Sequence, residues 1–307
     1  MILNYTFEMK DWKEERIHKP VLLKETIKWL NVRKNKNYID CTIGEGGHAI
    51  EILKRNGPKG KVLGIEIDPE LYKKLKKEKL KRLILVNDSY SNLREIVKKI
   101  NFKKVYGILF DLGISSWHLE KSDRGFSFLR DEPLIMRYDN REGISAKEII
   151  NQWPEEQIYQ ILKNYGEEKF AKNIAKRICK ERTKRKIERT SQLVEIIKRA
   201  VPRWYLRRRL HFATKTFLAL RIAVNKELEN LKTALAQALE ILEKEGRIVV
   251  ISFHSLEDKI VKNFFKESEK IGEIKILTKH PIVPSKEEIQ INPRSRSAKL
   301  RAAIKIK

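Results

Sequence analysis

Cysteine is nearly absent. The 307-residue chain has two, Cys41 and Cys179, far apart in sequence. Two isolated cysteines build neither a disulfide framework nor a zinc-ligand spacing. The six histidines are scattered and none forms an HExxH pair, so no metal site is expected. No apolar run approaches the length of a membrane span. The first twenty residues are polar and mixed in charge, without the apolar stretch of a secretory signal. The expectation is a cytoplasmic protein with no membrane partner. Acids are also scarce relative to bases: 41 Asp+Glu stand against 67 Lys+Arg, a formal charge of +26. Thermophilic composition accounts for 35% charged residues, but it predicts balanced signs. The excess creates a long-range field that draws polyanions, with nucleic acid the leading partner and an anionic membrane surface the weaker one. Nothing in the residues fixes an oligomeric state.

What is present is an alternation of short apolar runs and helical patterns. Residues 18–31 read as a helix packed on the edge of a sheet. Strands follow at about 38–41, 61–67, 83–87 and 105–111. Helices fall between them at about 48–55, from Asp68-Pro69 through Leu80, and at 91–100. Asp68 sits at an N-cap and Pro69 in the first turn. Such alternation builds a doubly wound, mostly parallel sheet. It stops after the fourth strand: residues 122–210 show helical spacing and no clear buried strand. From about His211 the α/β pattern resumes. Residues 214–246 read as one long helix, or two with a bend near Asn225, ended by Gly246 in the C′ role. A fifth strand at 247–253, a helix at 254–268 and two last strands complete the chain. The chain is therefore expected in three parts: 1–121 and 211–307 as two halves of one sheet domain, and 122–210 as a helical insert.

Chemistry gathers at the ends of the strands. After the first strand, Gly44-Glu45-Gly46-Gly47-His48-Ala49 satisfies G-x-G-x-x-A, a turn that lets backbone approach a bulky ligand. Without a ligand it is only a tight strand-to-helix turn. The second strand ends in Glu66 and Asp68, placed to meet a ribose. Strand alternation lets only one of them face the site, and Asp68, at the end, is the better candidate. Tyr90, after the third strand, is placed to stack on a base or simply to pack. After the fourth strand come Asp111, Gly113, Ser115, Ser116, Trp117 and His118, at the end of the sheet where open α/β folds bind ligands. Cys41 reads as a small packing residue. Between residues 170 and 211 there are 15 Lys/Arg against 3 Asp/Glu. This stretch includes Arg203, Trp204, Arg207, Arg208 and Arg209, arginines beside aromatics as phosphate contact and base stacking require. Arg294 and Arg296 add a second basic loop.

The strings HKPVLLKE, YIDCTIGEGGHA, DLGISS, RGFSF, ATKTFLALRIAVNKEL, ISFHSLEDKIVK and NPRSRSAKLR run along nearly the whole chain. With them the chain resembles the bacterial ribosomal RNA small subunit methyltransferase H family. RGFSF followed by ISFHSLED is the specific part, whereas the glycine turn fits many families. The resemblance implies a Rossmann-like S-adenosylmethionine methyltransferase sheet with a helical insert after strand four. It also implies N4-methylation of a cytidine in the decoding centre of small-subunit (16S) ribosomal RNA, within the assembled or assembling subunit. It implies cofactor contacts at Gly46, Gly47, His48, Asp68, Tyr90, Asp111 and His118. Tyr90 stands where relatives usually have Phe, and Trp117-His118 where they have Pro-Gln. Only the first dozen residues fall outside the resemblance and read as a peripheral extension. Acceptors near the 111–116 loop, Asp111 among them, are the candidates to polarise the target amine. Asp111 serving the cofactor alone is the other reading. Two readings from other classes are a nicotinamide-dependent oxidoreductase, which the charge and the helical insert disfavour, and a non-catalytic RNA-binding assembly factor, which the intact glycine turn, Asp68 and DLGISS disfavour.

Overall fold

A computed structural model describes residues 19–307 of the protein; the extension read from the first dozen residues lies outside them. The chain runs α1 (Leu23–Leu30), β1 (Asn37–Asp40), α2 (Gly47–Arg55), β2 (Val62–Glu66), α3 (Pro69–Lys76), β3 (Leu83–Asn87), α4 (Leu93–Lys99) and β4 (Val105–Asp111). Then come α5 (Ser116–Glu120), α6 (Ala146–Gln152), α7 (Glu155–Asn164), α8 (Ala171–Arg182), α9 (Thr190–Ala200), α10 (Arg203–Leu206), α11 (Thr214–Asn225) and α12 (Glu227–Ile241). The chain ends with β5 (Leu242–Ser252), α13 (Ser255–Lys270), β6 (Ile274–Ile276), α14 (Lys286–Ile291) and β7 (Lys299–Lys305).

The seven strands form one sheet in the order β3-β2-β1-β4-β5-β7-β6. The first five are parallel, and β7 runs antiparallel between β5 and β6. Alternation sends side chains to both faces. Ile39, Ile108, Phe110, Ile248 and Val250 pack under α4, α12 and α13. Tyr38, Leu109, Val249 and Ile251 pack under α1 and α2. Burial on both faces explains why the strands read as apolar runs. Cys41 lies in the first of these cores as the packing residue expected, and burial pushes its thiol up.

Three sequence expectations change. Helix α1 lies across β4 and β5 in the middle of the sheet rather than at an edge, which β3 and β6 occupy. Helix α3 stops at Lys76, not Leu80, because Lys79 and Arg82 take left-handed φ values of 47° and 67°. Gly246 ends no helix: α12 is already over at Ile241, and Leu242 pairs with Val105. Between Leu242 and Arg247 the register shifts, and a Cβ on Gly246 would stand 2.7 Å from the Leu242 side chain. The glycine there serves close packing in a bulge. The bend near Asn225 is real, with Lys226 at φ 49° between α11 and α12.

Between β4 and β5 the described residues form helices and one isolated bridge, Pro133 with Arg189. These helices enclose a core of their own, built on Ile149, Ile158, Leu162, Ile174, Ile178, Leu193 and Ile197. Helix α11 contributes Phe217, Ala219 and Leu220 to that core. By packing, the sheet side therefore begins again at α12 rather than at His211.

Candidate active site

The parallel strands end side by side at Asp40, Glu66, Asn87, Asp111 and Ser252. Strand order reverses between β1 and β4, where a crevice must open. A cleft of about 1130 Å³, open mouth included, lies there.

The first turn builds one wall. Gly44 (φ +52°) lines the cleft and donates its N–H to Glu66 Oε2 at 2.9 Å. Gly46 (φ +79°) caps α2 and faces Leu75, so it shapes the turn from behind. Gly47 lines the cleft, and a Cβ there would stand 2.3 Å from Pro20. His48 is buried, with Nε2 3.0 Å from the Val21 carbonyl and Nδ1 3.5 Å from Asp111 Oδ2. Tyr90 lines the far end of this wall and stacks edge-on to Phe110.

The two acids at the end of β2 exchange the roles expected of them. Glu66 lines the cleft; its Oε1 accepts the Asp68 N–H at 2.9 Å while Oε2 takes Gly44. Each oxygen keeps a lone pair for a hydroxyl. Burial pushes Glu66 up to about 7, with the charges of Asp68 and Asp40 adding to the shift. Asp68 is 0% exposed and does not line the cleft. Its Oδ1 caps α3 by accepting the Glu70 N–H, and its Oδ2 takes His118 Nε2 at 2.9 Å and Arg124 Nη1 at 2.8 Å. A capping acid must turn back onto its own helix, and that rotation takes it out of the crevice. Burial pulls Asp68 upward, but His118, the Glu70 N–H and Arg124 outweigh it and hold it below the usual carboxylate range.

Asp111 lies on the floor. Its N–H donates to Thr42 Oγ1 at 2.7 Å, and its buried Oδ1 has no partner among the described residues. Burial first, then the charges of Asp40 and Glu257, push this carboxyl well above the usual carboxylate range. A cationic ligand in the cleft would satisfy Oδ1 and ionise the group.

His118 lines the cleft, but both its nitrogens are engaged: Nε2 with Asp68 and Nδ1 with Ser115 Oγ at 2.8 Å. Burial holds the imidazole below its usual pKa despite Asp68, so it is neutral and donates from Nε2. It offers a ligand its ring, packed among Trp117, Phe126 and Tyr138. The opposite wall was not foreseen: Tyr138, Asn225, Glu227, Phe253 and Glu257. The strings RGFSF, NKEL and HSLED held these residues or their neighbours, but no spacing rule brings distant segments together. Glu227, His254 and Glu257 present ligand atoms within 4.8 Å of one another. Arg221 already bonds both Glu227 oxygens, at 2.8 and 2.9 Å.

The structure does not bring the basic residues into the cleft. Arg203, Arg207, Arg208 and Arg209 are exposed, as is Trp204 at 53%, all around the short helix α10. That helix is anchored by Tyr205, whose hydroxyl donates to the buried Glu168 carboxylate. The adjacent Glu167 accepts a hydrogen bond from Ser255 Oγ at 3.0 Å, at the cleft-side start of α13. Arg294 is committed to Ser116 and Glu120 of α5, while Arg296 is exposed.

A family model described as the MraW methylase family matches residues 15–306. The chain belongs to the MraW methylase family. It is therefore a methyl-transferring enzyme, which sets the nicotinamide reading aside. A curated relative from Clostridium botulinum (strain Kyoto / Type A2), named ribosomal RNA small subunit methyltransferase H, is 47% identical over 94% of this chain and 99% of its own length. One of the same name from Sulfurihydrogenibium azorense is 47% identical over 93% of this chain and 98% of its own. A solved rRNA methylase from Streptococcus thermophilus covers 95% of this chain and 99% of its own at 11% identity and a TM-score of 0.43, too distant to bear on the site. No helix among the described residues of this MraW family member is long and apolar enough to cross a membrane.

Proposed function

We propose that this chain transfers a methyl group from S-adenosylmethionine to the N4 amine of a cytidine in the decoding centre of small-subunit ribosomal RNA. The observation that carries the reading is the cleft at the β1/β4 switch point, where the glycine turn, Glu66 and Asp111 Oδ1, unpartnered among the described residues, converge. The family and the names of its relatives support the reaction and the RNA, and the +26 charge supports a polyanionic partner. The residues fit the cofactor. Glu66 would accept the ribose hydroxyls, Tyr90 would flank the base, and Asp111 would take the ammonium of the methionine end. When bound, S-adenosylmethionine supplies an electrophilic methyl on a cationic sulfur. Asp111 thus serves cofactor binding, and its part in polarising the amine is tested by Asp111→Ala: loss of transfer with cofactor affinity intact would assign it the chemistry.

Because burial pushes Glu66 to about 7, cofactor affinity should follow its ionisation. The ionised form binds hydroxyls and a cation better, so affinity rises with pH. For one group of this pKa it should weaken about tenfold from pH 8 to pH 6. Calorimetric titration at several pH values checks this, and a flat profile would count against Glu66.

Residues 122–210, with α11, would hold the RNA, in the cytoplasm where subunits are assembled. The target base must reach a cleft at the sheet's end, so it is single-stranded or splayed out. Replacing Arg207, Arg208 and Arg209 together by glutamine should weaken RNA binding and reduce the slope of log K against log salt by about 2. An unchanged slope would remove α10 from the RNA surface. The whole reading is tested by transfer from labelled S-adenosylmethionine to undermethylated small subunits and to free ribosomal RNA, with the modified nucleoside identified by mass. No transfer to either, with cofactor bound, would leave the substrate unassigned.

A further inference from the structure

Strand order decides which part of the cleft is left for the acceptor. The residues suited to ribose and base, Glu66 and Tyr90, follow β2 and β3 on one side of β1. Asp111, suited to the methionine end, closes β4 on the other side. The next strand outward is β5, so the turn from β5 into α13 faces the methyl-bearing end from the acceptor side.

That turn delivers one carboxylate into the cleft, Glu257, which is 3% exposed and on the cleft wall. Its Oε2 accepts the Phe253 N–H at 2.8 Å, and His254 Nε2 stands 3.1 Å from Oε1. Burial pulls Glu257 upward, but His254, Arg221 and the Phe253 N–H outweigh it and keep it ionised. The other acids of the cleft are less suited. Glu227 is clamped through both oxygens by the Arg221 guanidinium, Glu45 pairs with Lys74, Glu66 and Asp88 lie on the ribose side, and Asp111 lies on the cofactor's floor. Ser255, next to this turn, is bonded to Glu167, beside the Glu168 that anchors basic α10.

We infer that Glu257 is a catalytic residue that accepts a hydrogen bond from the target amine and takes its proton. This role rests on the methyl transfer proposed above. The nitrogen lone pair forms the bond to the methyl carbon as the sulfur–methyl bond breaks, its electron pair passing to sulfur. The nitrogen becomes cationic and loses one proton to the Glu257 carboxylate, which later releases it to water. The products are the neutral thioether, the methylated amine and a protonated Glu257. A hydrogen bond to the carboxylate before transfer also localises a lone pair otherwise delocalised into the ring.

The test is Glu257→Gln in single-turnover methylation of undermethylated small subunits at saturating S-adenosylmethionine. The expected rate is at least about 100-fold below wild type, within the range for general-base removal. Cofactor affinity by calorimetry and the thermal midpoint should be unchanged. Glu257→Asp, which keeps the charge with a shorter reach, should recover part of the rate; if Glu257→Gln folds poorly, that recovery decides the matter. A wild-type rate in Glu257→Gln, a loss of cofactor affinity parallel to the loss of rate, or no advantage of Asp over Gln would each overturn the role. No transfer by the wild-type enzyme would instead remove the underlying reading, and this role with it.

Discussion

Replacing Arg124 by alanine is expected to destabilise the protein by about 3–5 kcal/mol, the range for leaving one member of a buried ion pair alone. Arg124 is 4% exposed and Asp68 0%. One nitrogen, Nη1, reaches Asp68 Oδ2 at 2.8 Å and the Tyr138 carbonyl at 2.9 Å; the other, Nη2, reaches Glu70 Oε1 at 2.5 Å. Without the guanidinium, Asp68 stays buried with only neutral His118 and the cap to compensate its charge. The pair also joins the loop after α5 to the start of α3, so its loss should loosen the cleft's Tyr138 side. Urea denaturation measures the effect. A loss below about 1 kcal/mol, as exposed pairs show, would mean that water reaches Asp68 and the network is not sealed. The double variant with Asp68→Asn should recover part of the loss, because it removes the stranded charge.

Glu66→Gln should weaken S-adenosylmethionine binding on the order of 100-fold, since hydrogen bonds to a charged group contribute about 1.5–3 kcal/mol each. Asp68→Asn should lower stability and leave that affinity nearly unchanged. Glu66 lines the cleft with each oxygen of its carboxylate held by a backbone N–H, one from Gly44 and one from Asp68. Asp68 has turned away to cap α3. Calorimetry and thermal unfolding on both variants separate the two roles. Affinity lost in Asp68→Asn and kept in Glu66→Gln would return the ribose contact to Asp68.

The central strands were legible because both faces are buried, which leaves apolar runs such as Val105–Asp111, whose bounds match the sequence expectation; the half-buried edge strand Leu83–Asn87 kept the same bounds through its own apolar run. The glycine turn and Asp111 were legible for a related reason: a strand end fixes where its next residues point. The choice between Glu66 and Asp68 was not legible. It depends on a cap bond and on Arg124, 56 positions away, and no local pattern weighs those against a ribose. Gly246 misled in the same way, since a glycine after a helical pattern reads as a stop, yet here it relieves a bulge against Leu242.

Composition, periodicity and motif thus determined the sheet, the tight glycine turn after β1 and the helical stretch between β4 and β5. Each of these follows from neighbours a few residues apart. The tertiary structure alone decided which acid faces the cleft, which residues form its second wall and where the basic helix stands. Those depend on contacts such as Arg124 with Asp68, Arg221 with Glu227 and Ser255 with Glu167. All join different segments of the chain, and the two ion pairs form because burial makes an unpaired charge too costly to leave alone.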